Sequence, residues 1–582
     1  MKTHLRFAAA AFATLTLSAA ANAQTIADAI RLSDNEQYEK AKQTLRLLLV
    51  KEPTNGDLYF YMGDVYMKQD LADSAGLFFT KGAAVNPTNP LALVGKGRHL
   101  LYTGKVEEGK KAMSDANSLI TTQKNLPKER VVAAYLEMAE TYTFAMQPDF
   151  DQAILLTQRA QKLDEKNPEV FLVRGDALGK QDQVNGTPAI ECYKQAAVLD
   201  PKSCKANLRI GLLYYGGQNA DGAIEFFEKA TVIDPNFAPA WRAKGDAYML
   251  KGQTETTGTA QKAQYQKGAE CYRKYLELND DPYARYRYIT SLYLSKQYQE
   301  VVTESAEMWK KDSSQIILYR INGYSNFELG AFDLALSNIN TFITRATAAG
   351  SPPVIAKDYE YLGKIYQKKN QDSLAYIELM NGYKLDSTRK DLYVELGSVS
   401  LRMKRYNDAA YWYKKKGDAY EWQNINDLNI YARCLFLSKQ YTPADSVYSI
   451  MTTRDPKGVT SYYWRGRCYS AQSEKPEVSV KARPFYEQFV ALAVADKAKN
   501  KKELIVALRW LGEHYISLKN FACAKTCYEL MKELEPENAT AKTALEDKQI
   551  SAATAVDINT CFVQPMLYQA PTEQPKQEGN GQ

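Results

Sequence analysis

Three histidines and eight cysteines are the residues of this 582-residue chain best suited to catalysis or metal binding. His4, His99 and His514 lie far apart, whereas a histidine-based metal site or a catalytic triad needs partners that converge. Glu513-His514 lacks the second histidine of the H-E-x-x-H zinc motif. Gly175 to Lys180 superficially matches a phosphate-binding loop, but three residues rather than four separate its glycines, and Gln181 stands where Ser or Thr would reach the metal. The residues name no nucleophile with its base, no metal site and no cofactor cradle. The chain therefore reads as a non-enzyme, with no catalytic residue, no metal and no cofactor expected.

The cysteines read as packing residues. Cys192, Cys271 and Cys527 each stand directly before an aromatic (Tyr193, Tyr272 and Tyr528), and Cys434 and Cys468 are 34 residues apart. Residues in one recurring slot sit on neighbouring helices roughly 8–10 Å apart, beyond the ~7 Å between Cα atoms that a disulfide spans. Buried, unpaired thiols are expected. Cys523 and Cys527, one helical turn apart, are the pair to check for a bridge.

A recurring slot implies a repeat. Trp241, Gly245 and Tyr248 follow a unit with Gly211, Tyr214, Ala223, Phe227, Ala230 and Asp234-Pro235, and the two glycines are 34 residues apart. The register recurs upstream at Tyr59, Gly63, Tyr66, Ala75, Phe79 and Pro87, and at Phe171, Gly175, Ala189, Tyr193, Ala196 and Pro201. It returns downstream at Gly323, Gly363, Gly397 and Gly512. Small residues let paired helices approach closely, and Tyr or Phe fills the gap between one hairpin and the next. In period and residue types the pattern resembles the tetratricopeptide repeat. That resemblance implies an all-α, right-handed superhelical solenoid of about fourteen helix-turn-helix hairpins, whose first helices line a concave groove. Each hairpin is then half a core, stable only against its neighbours.

Residues 1–23 combine Lys2 and Arg6, an apolar run from Phe7 to Leu17 and the small-residue end Ala21-Asn22-Ala23, the pattern of an export signal. The first cysteine is Cys192, so no lipid-anchoring cysteine follows the cleavage point. An N-terminal array over 24–348 and a C-terminal array with a capping helix over 349–550 are expected. The two are continuous or bent at Ala349-Gly350-Ser351-Pro352-Pro353, where two prolines stop a helix. Longer connections are expected at 121–127, 253–264 and 472–484, and a disordered polar tail over 551–582. The protein is then exported, periplasmic or envelope-associated, and not inserted in the membrane, since charged or polar residues soon break every apolar run past the signal, before the ~18 residues a span needs. Net charge is +6, from 74 Lys and Arg against 68 Asp and Glu, too near neutral to favour nucleic acid.

The resemblance implies a binding function, with protein or peptide partners. The position three residues before the repeat glycine faces the groove in this family. Arginine holds that slot at Arg242, Arg287, Arg320 and Arg509, while Arg433 and Arg467 directly follow the equivalent small residue. Together they form a basic stripe suited to an acidic partner, because a planar guanidinium takes a carboxylate or phosphate with two hydrogen bonds. Asp246, four residues after Arg242, supports the opposite reading of a self-paired face. Phe60, Tyr102, Phe144, Tyr215, Tyr324, Phe327, Phe436 and Tyr463 fall at groove-facing spacing and add aromatic contacts. The expected function is a non-catalytic protein–protein interaction scaffold of the bacterial cell envelope. The alternative is an accessory subunit or enzyme acting on envelope glycan or peptidoglycan, with carboxylates as acid and base. Asp73-Ser74-Ala75 and Asp445-Ser446-Val447 resemble a short bacterial O-glycosylation signal and equally fit helix starts.

Overall fold

A computed structural model describes residues 25–312, 314–472 and 479–562, so the segment read as an export signal lies outside the described residues. Among the described residues fourteen helix pairs run from Ile26–Asp34 with Tyr38–Lys51 to Lys501–Ser517 with Phe521–Leu534, and no strand occurs. No helix among them is long and apolar enough to cross a membrane.

Local chemistry sets where the helices start. The side chains of Asn55, Asn89, Asn167 and Asn219 accept from backbone N–H groups two or three residues on, satisfying donors that a helix start leaves open. Pro90 and Pro168 take the first helical positions, where no N–H is needed. Turn chemistry is less decisive. In most hairpins the chain passes between the two helices through one left-handed residue, which is Gly104 or Gly330 in two of them but Asp70, Gln218, Lys296 or Lys439 in others, with φ from 58 to 63° for these four. A side chain costs about 1–2 kcal/mol in that conformation, so packing of the hairpin holds the turn against its residue's preference.

That packing repeats with the sequence. Phe79 lies on Gly63, Tyr193 on Gly175 and Phe227 on Gly211, and a Cβ on any of these glycines would come within 2.4 Å of the facing ring. Ala75, Ala189, Ala223 and Ala409, beside such rings, are at most 1% exposed.

The chain divides into two compact units after Ser325, inside the helix Ile316–Glu328. The division expected at 349 instead falls at a helix end, where Phe332–Ala349 stops at Gly350 with φ 69°. The connection expected over 253–264 is almost entirely helical, because Ala238–Thr254 and Gly258–Leu278 extend together with Tyr265 seated against Gly252. The loop after Val106–Thr122 occurs as expected. Residues 473–478 of the last expected connection lie outside the described residues.

The tail read as disordered from 551 is ordered as far as Phe562. Lys548–Ala552 and Ile558–Cys561 are short helices, and Ile550 and Cys561 are buried in the core of the last hairpins. Lys525 donates to the Ser551 and Ala553 carbonyls, and Thr526 donates to the Val556 carbonyl. Cys561 forms a disulfide with Cys523, so the expectation of unpaired thiols fails there. The partner lies beyond the repeats, where slot spacing is silent. Cys527 is a free, buried thiol, as are Cys271, Cys434 and Cys468. Burial pushes the thiols of Cys434 and Cys468 up to about 12, out of the reactive range. Residues 563–582 lie outside the described residues.

Two outcomes follow. Cys561→Ser should lower stability by roughly 2–4 kcal/mol, and adding reductant should shift the denaturant midpoint of the wild type but not of the variant. Gly211→Leu should cost about 1–3 kcal/mol by overpacking against Phe227, whereas Gly216→Ala, which meets open space, should not lower the midpoint. Equal midpoints for the two glycine variants would show that no ring is seated at Gly211.

Candidate functional site

In the first unit the first helices of successive hairpins surround a chamber of about 560 Å³. Its wall is drawn mainly from Ile26–Asp34, Gly56–Met67, Lys128–Phe144, Pro168–Gln181, Cys204–Gly216 and Ala238–Thr254. The first hairpin closes it by reaching across to hairpins far along the chain. Arg242 donates to Glu36 at 2.5 Å, over a sequence separation of 206 residues. The Tyr275 hydroxyl donates to the other Glu36 oxygen at 2.7 Å, and Asn279 donates to the Asn35 carbonyl at 3.0 Å. Lys205 pairs with Asp34 at 2.7 Å. Glu36 itself holds the left-handed turn position, φ 57°. The expectation that each hairpin touches only its neighbours therefore fails in this unit, because the curvature of the array returns its start to a later hairpin.

Along the wall, the aspartate after a repeat glycine pairs with an arginine of the next hairpin. Asp176 accepts from Arg209 at 2.7 and 2.9 Å, and Asp64–Arg98 and Asp246–Arg287 are the equivalent pairs. The Tyr193 and Tyr272 hydroxyls also donate to Asp176 and Asp246. Asp246 thus binds across hairpins and not to Arg242 on its own helix. Stacked first helices bring equivalent slots level, so the partner one hairpin away is nearer than spacing along a single helix suggests.

Arg98 is the most crowded of these cations. It is buried, lies 5.1 Å from the Phe60 ring centre, and is shared by Asp64, by Glu137 at 2.6 Å and by Glu140 at 3.4 Å. Lys68 adds a 3.2 Å contact to Asp64. The carboxylates respond differently. Asp64 is held below the usual range against the cost of burial, by Lys68 and Arg98. Glu137 is pushed up to about 8 by burial; Arg98 opposes that rise, and Glu140 and Asp64 reinforce it. Arg98 and Lys68 together cannot neutralise three carboxylates, so a proton on Glu137 makes up the difference.

The residues expected to line a basic stripe divide between the units. In the first, Arg242 and Arg287 are ion-paired as described, and Arg287 also donates to the Tyr283 hydroxyl at 2.8 Å. Arg320 lies on Ile316–Glu328. Phe60 and Tyr324 are core residues, since neighbouring helices cover their face, while Tyr102 and Phe144 remain 40% and 49% exposed. Tyr215 borders a shallow hollow with Arg287 and Tyr272. In the second unit Phe436 and Tyr463 are buried against Trp464, with ring centres 5.0 and 5.3 Å away. Phe327 sits edge-on to Tyr361. Arg433 stacks over Trp464 and Arg467 over Phe436, at 5.6 and 5.5 Å, and Arg467 donates to the Tyr463 hydroxyl. Arg509 is exposed. Sequence reasoning missed Glu36, because no 34-residue register marks a contact 206 residues long; it also missed Asp34, Arg98 and Glu137, although Arg98 stands 34 residues after its partner Asp64. The usable signal was the aspartate following glycine at 64, 176 and 246. Among the described residues no group of three or more His, Cys, Asp or Glu is placed to hold a metal ion.

Glu36→Ala should unlatch the first hairpin. Losing two charge-assisted hydrogen bonds costs about 1–3 kcal/mol, so amide exchange over 26–51 should accelerate while the second unit keeps its protection. Unchanged exchange there would show that closure adds nothing to the stability of the first hairpin.

A family model for the tetratricopeptide repeat matches residues 185–238. No curated protein matches the chain significantly. Among solved structures, the C-terminal part of a TPR repeat-containing protein from Cytophaga hutchinsonii is 25% identical, the alignment covering 45% of this chain and 99% of that one with a TM-score of 0.35. A tetratricopeptide repeat protein from Parabacteroides merdae is 16% identical over 47% and 99% of the two chains, TM-score 0.28. Yeast Tom70 is 12% identical over 71% and 95%, TM-score 0.27. The matched segment, residues 185–238, is similar to the tetratricopeptide repeat and lies inside a register that places glycine, alanine and an aromatic ring alike in hairpin after hairpin.

Proposed function

We propose that this protein is a non-catalytic scaffold of the bacterial cell envelope that holds protein or peptide partners against the inner faces of its two arrays. The chamber of the first unit carries the reading. Its volume, about 560 Å³, lies in the range of ligand pockets, ~300–1,000 Å³, and its wall mixes charged groups with apolar ones such as Ile30, Val173 and Leu212. In the second unit, Arg433 and Arg467 sit over aromatic rings and have no carboxylate partner among the described residues, which suits them to an acidic group on a partner. The envelope placement draws on the basic, apolar and small-residue order of residues 1–23. The Cys523–Cys561 disulfide supports it, since such bonds persist in oxidising compartments.

The glycan-acting alternative draws on Asp64 and Glu137, whose affinities for protons are driven apart in the manner of a base and an acid. Crosslinking in intact cells followed by mass spectrometry separates the two readings. Under the scaffold reading, partner proteins should crosslink at chamber residues or around Arg433 and Arg467. Absence of partners above background, together with hydrolysis of purified cell-wall glycan that Glu137→Gln abolishes, would reverse the choice.

A further inference from the structure

Charge inside the chamber does not balance. Ten carboxylates and four cationic side chains line it. Three more cations, Arg98, Lys128 and Arg287, reach lining carboxylates from outside the wall, so with every group ionised three carboxylates are in excess, one of them the exposed Glu129. The other two have a location. Asp64, Glu137 and Glu140 converge on Arg98, with Lys68 shared between Asp64 and Asp34, and Asp34 and Glu169 share Lys205, so five carboxylates there meet three cations. Carboxylates withdrawn from water are costly unless they are paired or protonated, so a positively charged ligand gains energy here that a neutral or acidic one does not.

We infer that the chamber receives a cationic segment of a partner protein, with a lysine or arginine head group settling at Glu137 and Glu140. Those two residues lie on one face of Lys128–Phe144 together with Ala133 and Leu136, which also line the chamber and offer apolar surface to the alkyl stem. The sign is opposite to that expected from the arginines, because Arg242 and Arg287 are already neutralised by Glu36 and Asp246. The inference rests on the chamber being a partner site, as proposed above.

The groups facing Glu137 are Tyr61, Asp64 and Lys68 from the second hairpin, Arg98 from the third and Glu140 on its own helix. Since burial holds a proton on Glu137 until about pH 8, a cationic ligand should bind better as pH rises through that value. Lysine stays charged over the same span, with an ordinary pKa of about 10.4.

The test uses the full-length protein and a fluorescent pentalysine peptide at about 0.15 M salt, with pentaglutamate and spermidine alongside. Pentalysine should bind and pentaglutamate should not. Glu137→Gln combined with Glu140→Gln should weaken pentalysine by roughly tenfold or more, and the rise in affinity between about pH 6 and about pH 9 should vanish in Glu137→Gln. Should the double variant not fold, carbodiimide coupling of pentalysine to the wild type, mapped by mass spectrometry, should place amide bonds on Glu137 or Glu140. Coupling only to carboxylates outside the chamber, equal binding of pentaglutamate, or an unaffected folded variant would overturn the inference. Tighter binding of spermidine than of pentalysine would overturn the assignment to a protein segment in favour of a free polyamine. Partner crosslinks that still map to the chamber in cells would, in any of those cases, leave the scaffold reading standing.

Discussion

An aromatic ring packed against the bare backbone of a glycine is the contact on which the rest of this molecule depends. Phe79 on Gly63 and Phe227 on Gly211 bring two helices closer than any side chain on the glycine would permit. Alanines at 75 and 223 then let the pair close along its length. With the interior of each hairpin so thin, the first helices of successive hairpins stand level. Equivalent slots therefore face one another, and the aspartate after the glycine meets an arginine from the next hairpin at 64, 176 and 246. The charge ladder is a consequence of the ring-on-glycine seat and not an independent design.

Closure of the first unit is a consequence one step further on. A flexible chain would lose several kcal/mol of entropy in bringing residue 36 to residue 242. Here the intervening hairpins are stiff, and their summed small rotations carry the first hairpin to its destination, so the latch of Glu36, Arg242, Tyr275 and Asn279 forms at little entropic cost. A solenoid whose energy is a sum of nearest-neighbour terms acquires one long-range term. Any ligand in the chamber is held by helices from both ends of that term, so ligand and latch must influence each other.

Much of the architecture was legible because it is periodic. Gly211 and Gly245, Ala223, Phe227 and Tyr248 announce helices, their pairing and their spacing at once. What was not legible lies where the period has no meaning. Cys561 belongs to no repeat, and a polar, proline-bearing tail hid the apolar pair Cys561-Phe562 that packs on the last hairpin. The connection over 253–264 looked like a loop because it interrupts the 34-residue count, yet Gly252 beneath Tyr265 shows two helices lengthening in step. For the candidate site, sequence located arginines correctly on the first helices but could not show that Glu36 and Asp246 neutralise two of them. Residues chosen as exposed aromatics, Phe60 and Tyr324 among them, proved to be core, since groove-facing spacing on an isolated helix ignores cover from the next hairpin.

The latch also has a consequence for the order of events during synthesis. The first hairpin is complete once residue 51 has been made, but the residues it grips, Arg242, Tyr275 and Asn279, are made much later. At about 5–20 residues per second, its carboxylate-bearing turn waits roughly ten seconds or more before its partners exist. Over that interval the nascent chain presents Asp34 and Glu36 unpaired, with Glu36 held in a left-handed turn that its later partners help to stabilise. The first hairpin of the array is in this sense the last to be finished, and the elongating chain spends that time as an open array.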